Sequence, residues 1–144
     1  MCSRSSMNTK GKPYTWPVSA ADLPPAQFGF PGPLRDKLVA AILSGAKTST
    51  TGLLAAYEDE GEALAEPGAR LAVLDSQDQP VAVIEIVEVR VARLGDVDLA
   101  HAMDEGEGDT TLDTWRANHE HFFHSMGYEV DDDSLVVLER FRLV

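Results

Sequence analysis

Residues 81–91, Val-Ala-Val-Ile-Glu-Ile-Val-Glu-Val-Arg-Val, constrain the fold more than any other stretch of the chain. Seven of these eleven residues are β-branched, which favours a pleated strand over a helix. The run Arg70–Asp75 precedes it, and Ser76–Pro80 between them is rich in turn formers, so an antiparallel pair is expected. Two strands alone are marginal in water, so more strands or a covering helix must join them. One face of the longer strand reads Val81, Val83, Glu85, Val87, Val89, Val91, because side chains alternate along a strand. A carboxylate among five valines either faces a cavity with an internal partner or reaches water from a half-exposed face, since burying it unpaired is costly. The other face begins Ala82, Ile84, Ile86, so a strand covered on both sides is a further option.

Helices are legible around this pair. Pro33 suits the first helical position, and Leu34, Leu38, Ala41 and Ile42 recur at helical spacing. Gly45 supplies a left-handed stop, so a helix over about 33–43 is predicted, with Lys47 two residues beyond its end. Residues 48–51 read as a short strand, 53–59 as a helical turn and 61–68 as an acidic loop. Residues 96–103 read as a short helix. A longer helix is expected over about 111–126, with Leu112, Trp115, Phe122, Phe123 and Met126 on one face and Asp109 or Thr110 as its cap. Residues 134–143 close the chain as a strand. Strands interleaved with a few helices point to an α+β fold rather than a doubly wound sheet. Residues 1–27, rich in Ser, Pro and Gly, read as an irregular arm in which Trp16, with Phe28 just beyond it, is expected to find apolar surface.

The 144 residues fit one domain, and the net charge is −12. The charge is unevenly placed. Residues 1–56 carry six Lys/Arg and two Asp/Glu, whereas residues 57–144 carry six and twenty-two. A protein that grips long nucleic acid needs a basic face to displace counterions, and most of this chain has none. A single nucleoside suits the charge better than a long polyanion. Cys2 is the only cysteine, which excludes an intrachain disulfide or a cysteine metal site. No run approaches the roughly 20 apolar residues of a membrane span, and the first residues lack the apolar segment of a secretory signal. A cytoplasmic location is therefore expected, with no membrane partner.

Several residues are candidates for chemistry. Lys47 stands among Ser44, Thr48, Ser49, Thr50 and Thr51. A lysine among hydroxyls can hold a carbonyl oxygen or a phosphate, or activate a nucleophile. It is equally a solvated cation at a helix end, followed by threonines that suit a strand. It is not a P-loop lysine, because no glycine stands six residues before it. Glu105, Glu107 and Asp109 surround Gly106 and Gly108, and glycines let a backbone approach closely. Carboxylates ahead of a helix are also simple caps. The calcium-loop pattern is absent there. His119, His121 and His124 lie on the last helix without the His-Glu-x-x-His spacing of a zinc site, so no metal is expected. Trp115 and Phe122 read as core rather than as a stacking platform.

From Phe28 to the C-terminus the chain resembles the ASCH family. Residues 42–50, Ile-Leu-Ser-Gly-Ala-Lys-Thr-Ser-Thr, are similar to its Gly-x-Lys-Thr-x-Thr signature. The likeness continues through Tyr57-Glu58-Asp59-Glu60-Gly61-Glu62, Val83-Ile84-Glu85, Gly106-Glu107-Gly108-Asp109 and Trp115-Arg116. The resemblance implies a PUA-like β-barrel with flanking helices over 28–144, and a cleft that binds RNA or a nucleoside. One small bacterial relative is an amidohydrolase that removes the acetyl group of N4-acetylcytidine. By motif match its lysine and threonine fall on Lys47 and Thr50, and its glutamate on Glu107, with Glu105 as the alternative. The implied substrate contacts are Thr48, Tyr57, Glu85, Glu105, Asp109 and Arg116. The implied partner is a modified nucleoside or single-stranded RNA, and no cofactor is implied. Other relatives are proposed as RNA-binding modules or ribonucleases, so binding without catalysis and metal-independent RNA cleavage are the competing expectations.

Overall fold

A computed structural model describes residues 3–4 and 20–144 of the chain. Its strands are β1 (Ser3–Arg4), β2 (Pro25–Gln27), β3 (Ser49–Leu53), β4 (Arg70–Leu74), β5 (Pro80–Arg93) and β6 (Leu135–Leu143). Its α-helices are α1 (Pro33–Ser44), α2 (Leu54–Asp59), α3 (Leu99–Asp104) and α4 (Leu112–Ser125). The strands form one mixed sheet in the order β1-β2-β4-β5-β6-β3. Among the described strands only the β2–β4 pair is parallel.

The α+β class expected from the sequence is what the chain adopts, but the sheet is open. The expected barrel would need β3 to close onto the far edge. Instead α3 covers β3: the Thr48 amide donates to Asp104 O at 2.8 Å, and the Ser49 hydroxyl donates to His101 O at 3.0 Å. Covering an edge with a helix satisfies its unpaired groups as well as another strand would. Residues 25–27, assigned to an irregular arm by sequence, belong to the sheet through the pairing of β2 with β4. Phe28 is buried. Trp16 lies outside the described residues.

α1 begins at Pro33 and ends on Gly45, whose φ of 84° lets its amide bond back to Ile42 O. Its buried residues Leu38, Val39 and Ile42 pack with Phe28, Leu71, Val73, Ile84, Ile86 and Phe141. α4 is capped by Thr111, whose hydroxyl accepts from the Thr114 amide, rather than by Asp109 or Thr110. Thr111 wins because its backbone is already extended at the entry to the helix. Trp115, Phe122 and Phe123 pack with Leu53, Leu94, Val136 and Leu138, so Trp115 and Phe122 are core, as expected. Leu138 and Phe141 sit on opposite faces of β6. The two clusters therefore take their β6 side chains from opposite faces of the sheet, and Leu34 of α1 packs against both.

The long strand departs from simple alternation. Ile86 pairs with Phe141, but the next pair is Glu88 with Arg140, so Val87 is an extra residue. Such a bulge reverses which face the following side chains take. Ile84 and Ile86 point inward before it, Val89 packs against the same cluster after it, and Val87 is exposed. Glu85 consequently lies on the outer face. Arg142 on β6 and Arg70 on β4 flank it, with Arg142 Nη2 at 2.8 Å and Arg70 Nε at 3.3 Å. Arg142 first, then Arg70, hold its carboxyl below the usual carboxylate range. The carboxylate among valines is a cross-strand ion pair, not a cavity group.

Candidate functional site

Lys47 is buried to 1% exposure, which excludes the reading of a solvated helix-end cation. Its Nζ donates to Ser49 O at 2.8 Å, Glu107 Oε2 at 3.1 Å and Glu105 O at 3.3 Å, and Glu105 Oε1 lies at 3.6 Å. The face of the Phe28 ring is 5.9 Å from the same nitrogen. Two carboxylates, two carbonyls and a ring face form a shell suited to an ammonium.

Two glycine features deliver this geometry. Gly45 ends α1, so the chain turns sharply into Lys47. Gly106, with φ 64°, lies against the Ala46–Lys47 peptide; a Cβ there would stand 2.3 Å from Ala46 O and 2.8 Å from Lys47 N. The loop after α3 thus crosses directly over the lysine and places Glu105 on one side and Glu107 on the other. The close backbone approach expected of these glycines is made to the chain itself.

Glu105 and Glu107 divide the work. Glu105 is fully buried. Its Oε2 accepts from Trp115 Nε1 at 2.7 Å and from the Thr51 hydroxyl at 2.9 Å, and its Oε1 faces His119 Nε2 at 3.2 Å. His101 Nε2 meets the Thr51 hydroxyl at 2.8 Å, and His119 Nδ1 meets Trp115 O at 2.8 Å. His119 is also stacked on the Trp115 indole, centroid to centroid 4.1 Å. Burial pushes the Glu105 carboxyl up, but nearby positive charge, to which His119 and Lys47 contribute, outweighs it, and it ionises well below its ordinary value of 4.5. Glu105 is the organising anion. Glu107 instead shares Lys47 with a cavity of about 360 Å³, lined also by Phe30, Leu34, Lys37, Asp109 and Phe122. Glu105, Glu107 and His119 each offer one ligand atom within 4.8 Å of the others. The Lys47 ammonium stands against two of these three.

Thr50 is buried and pairs directly with Glu139 across β3 and β6, so the two side chains share a face. Phe141 lies on that face too, and its ring is 5.9 Å from Phe28. Phe28 is the ring over which Lys47 Nζ stands. Gly52, two residues on, faces the Tyr57 ring: a Cβ at Gly52 would meet Tyr57 Cε2 at 2.9 Å. Gly52 and Thr50 share a face of β3, so Tyr57 lies on the Thr50 side of the strand. Asp109 is nearly buried, and its Oδ1 accepts from Asn118 Nδ2 at 2.9 Å. Thr48 serves the covered edge of β3 through its backbone.

Two expected substrate contacts do not join this group. Glu85 is on the outer face between two arginines. Arg116 turns outward to Glu120 and Asp132, both at 2.7 Å. Sequence reasoning missed Thr51, His101, His119 and Glu139 as members. A signal existed for His119, which is four residues after Trp115 and so on the same helical face. Glu139 interrupts the apolar run Leu135–Leu138 with an inward-facing carboxylate. Nothing local marks His101, and Thr51, one hydroxyl among several beside Lys47, carries no sign of a contact that spans fifty residues of chain.

A family model described as ASCH domain matches residues 25–144. Protein EF3133 from Enterococcus faecalis V583, of the family DUF984, is 30% identical with a TM-score of 0.76, covering 85% of this chain and 77% of that one. An ASCH domain from Lactobacillus crispatus JV V101 is 30% identical with a TM-score of 0.70, covering 81% and 77%. A hypothetical protein, PH0355, shares the fold at 12% identity and a TM-score of 0.55, covering 76% and 93%. No curated protein matches at a significant level. The sequence signature around Lys47, the match over most of the chain and these structural likenesses agree: the chain belongs to the ASCH domain family.

Proposed function

We propose that this protein is a small hydrolase that cleaves an amide on a modified nucleoside, N4-acetylcytidine being the substrate to try first. One observation carries the reading: a fully buried lysine whose Nζ is 3.1 Å from a carboxylate that also lines an open cavity. Buried ion pairs add little stability over apolar packing, whereas paired titratable groups in a cleft suit proton transfer.

The chemistry assigns three roles. Lys47 first passes a proton to Glu107 and becomes a neutral amine. That amine takes the proton of the Thr50 hydroxyl as its oxygen attacks the acyl carbon. The C–N bond breaks as Glu107 returns its proton to the leaving amine. Lys47 and Glu107 have by then regained their charges; water adds to the acyl carbon, its proton passes to the Thr50 oxygen as the acyl–oxygen bond breaks, and the acid leaves. Glu105, saturated by Trp115, Thr51 and His119, holds the lysine in place. Its satisfied oxygens favour Glu107 over Glu105 as the proton carrier. The −12 net charge disfavours a long RNA ligand.

The test is incubation with N4-acetylcytidine, following cytidine and acetate by chromatography. Wild type is expected to turn over, and Lys47→Ala and Glu107→Gln to lose at least about 100-fold in kcat, the scale of a missing acid–base group. No turnover by wild type sinks this substrate. Tight single-stranded RNA binding that fades with salt would favour a binding module instead.

A further inference from the structure

The cavity beside Glu107 is more than an access route. Its volume, about 360 Å³, is at the lower end of small-molecule sites, which suits one ring system rather than a polymer. Its walls come from three elements: Leu34 and Lys37 on α1, Asn118 and Phe122 on α4, and the loop carrying Glu107 and Asp109. Phe30 stands at its edge, half exposed, with its ring 5.6 Å from that of Phe122. Phe30 is well anchored. The buried Arg35 guanidinium donates to Gly29 O at 2.9 Å and to Phe28 O at 3.3 Å, fixing the chain just before it.

The polar lining holds donors as well as acceptors: Lys37, whose Nζ donates to Glu107 O at 3.3 Å, with Asn118, His121 and Ser125. Glu107 and Asp109 present carboxylates, which only accept. Asp109 is oriented by the Asn118 amide at its Oδ1. Two aromatic rings on one side and two fixed acceptors on the other describe a flat ligand with N–H groups along one edge. A ring whose edge offers carbonyl oxygens to the same acceptors would be repelled.

We infer that this cavity is the ring-binding subsite, which stacks a planar heterocycle against Phe30 and selects an amine-bearing edge through Asp109. Glu107 then stands at both the subsite and Lys47, so a substituent on that amine meets the lysine. This last step rests on the hydrolase reading; the subsite itself does not.

Binding by calorimetry separates the two. Cytidine presents an amine where uridine presents a carbonyl, and the two are otherwise alike in size. Wild type is expected to bind cytidine at least tenfold more tightly than uridine. Phe30→Ala, at a half-exposed site that tolerates truncation, should weaken both about tenfold, the scale of one lost stacking contact. Asp109→Asn should erase the preference, because an amide can donate as well as accept. Equal affinity for the two nucleosides, unchanged binding in both variants, or no binding at millimolar nucleoside would overturn the subsite. Binding as described without turnover of N4-acetylcytidine leaves the subsite standing and removes the hydrolase. Turnover unaltered by either variant does the reverse.

Discussion

Lys47 sits where a cation is required rather than where one is convenient. Removing it leaves Glu105 and Glu107 facing each other in a buried site. Breaking one side of a buried ion pair typically costs about 3–5 kcal/mol. Lys47→Met should lower urea stability by that amount, and adding Glu105→Gln should recover part of it rather than sum with it. The acid limb of stability follows from Glu105. Its folded pKa lies well below the ordinary 4.5, so the unfolded chain takes up the proton first as pH falls. The stability it contributes is complete above the ordinary value and is lost as pH drops through the lower folded value. Urea midpoints measured from about pH 6 to pH 3 should fall for wild type, with a flatter decline for Glu105→Gln.

At the level of elements, two glycines with positive φ make a controlled comparison. Gly45 and Gly106 have φ of 84° and 64°, but a Cβ at Gly45 meets nothing within 4 Å, while one at Gly106 collides with the Ala46–Lys47 backbone. Gly45→Ala should cost about 1 kcal/mol, the price of a left-handed alanine. Gly106→Ala should cost well over that, because the backbone it strikes cannot move aside, and should also disturb Lys47. Denaturation of the two variants side by side checks the difference. Thr111→Ala should lose about 1 kcal/mol as the cap of α4 disappears. These elements were largely legible in the sequence, because Pro33, Gly45 and the β-branched runs act locally. The bulge at Val87 was not, since a register shift depends on which residues of β6 lie opposite. A strict alternation over Val81–Val91 treats the Glu85 face as uniform, whereas the bulge moves Val89 to the Ile84–Ile86 side and leaves Glu85, before it, on the outer face.

Across the whole molecule, the sheet separates two functions of packing. α1 packs with the Phe28–Phe141 cluster and carries the chain into Lys47; α4 packs with the Leu53–Leu138 cluster and supplies Trp115 and His119 to Glu105. The site lies at the β3 edge, where α3 replaces the strand that would have closed a barrel. The family resemblance made Lys47 and Glu107 legible as companions in advance. It did not expose the network behind them, because those contacts join residues about fifty apart or bring together neighbours that matter only once Glu105 is buried. No helix among the described residues is long and apolar enough to cross a membrane.

The crossing of the Gly106 loop over Lys47 also fixes when the site can exist during synthesis. The lysine and its carboxylate are sixty residues apart, and contacts so distant in sequence form late in folding. A chain growing from its N-terminus has made Lys47 long before Glu105 and Glu107 are available, and α4 must follow before Glu105 is enclosed. A partly made or C-terminally clipped chain therefore carries the lysine without its shell. Activity, where it is found, reports completion of the fold and not merely presence of the signature.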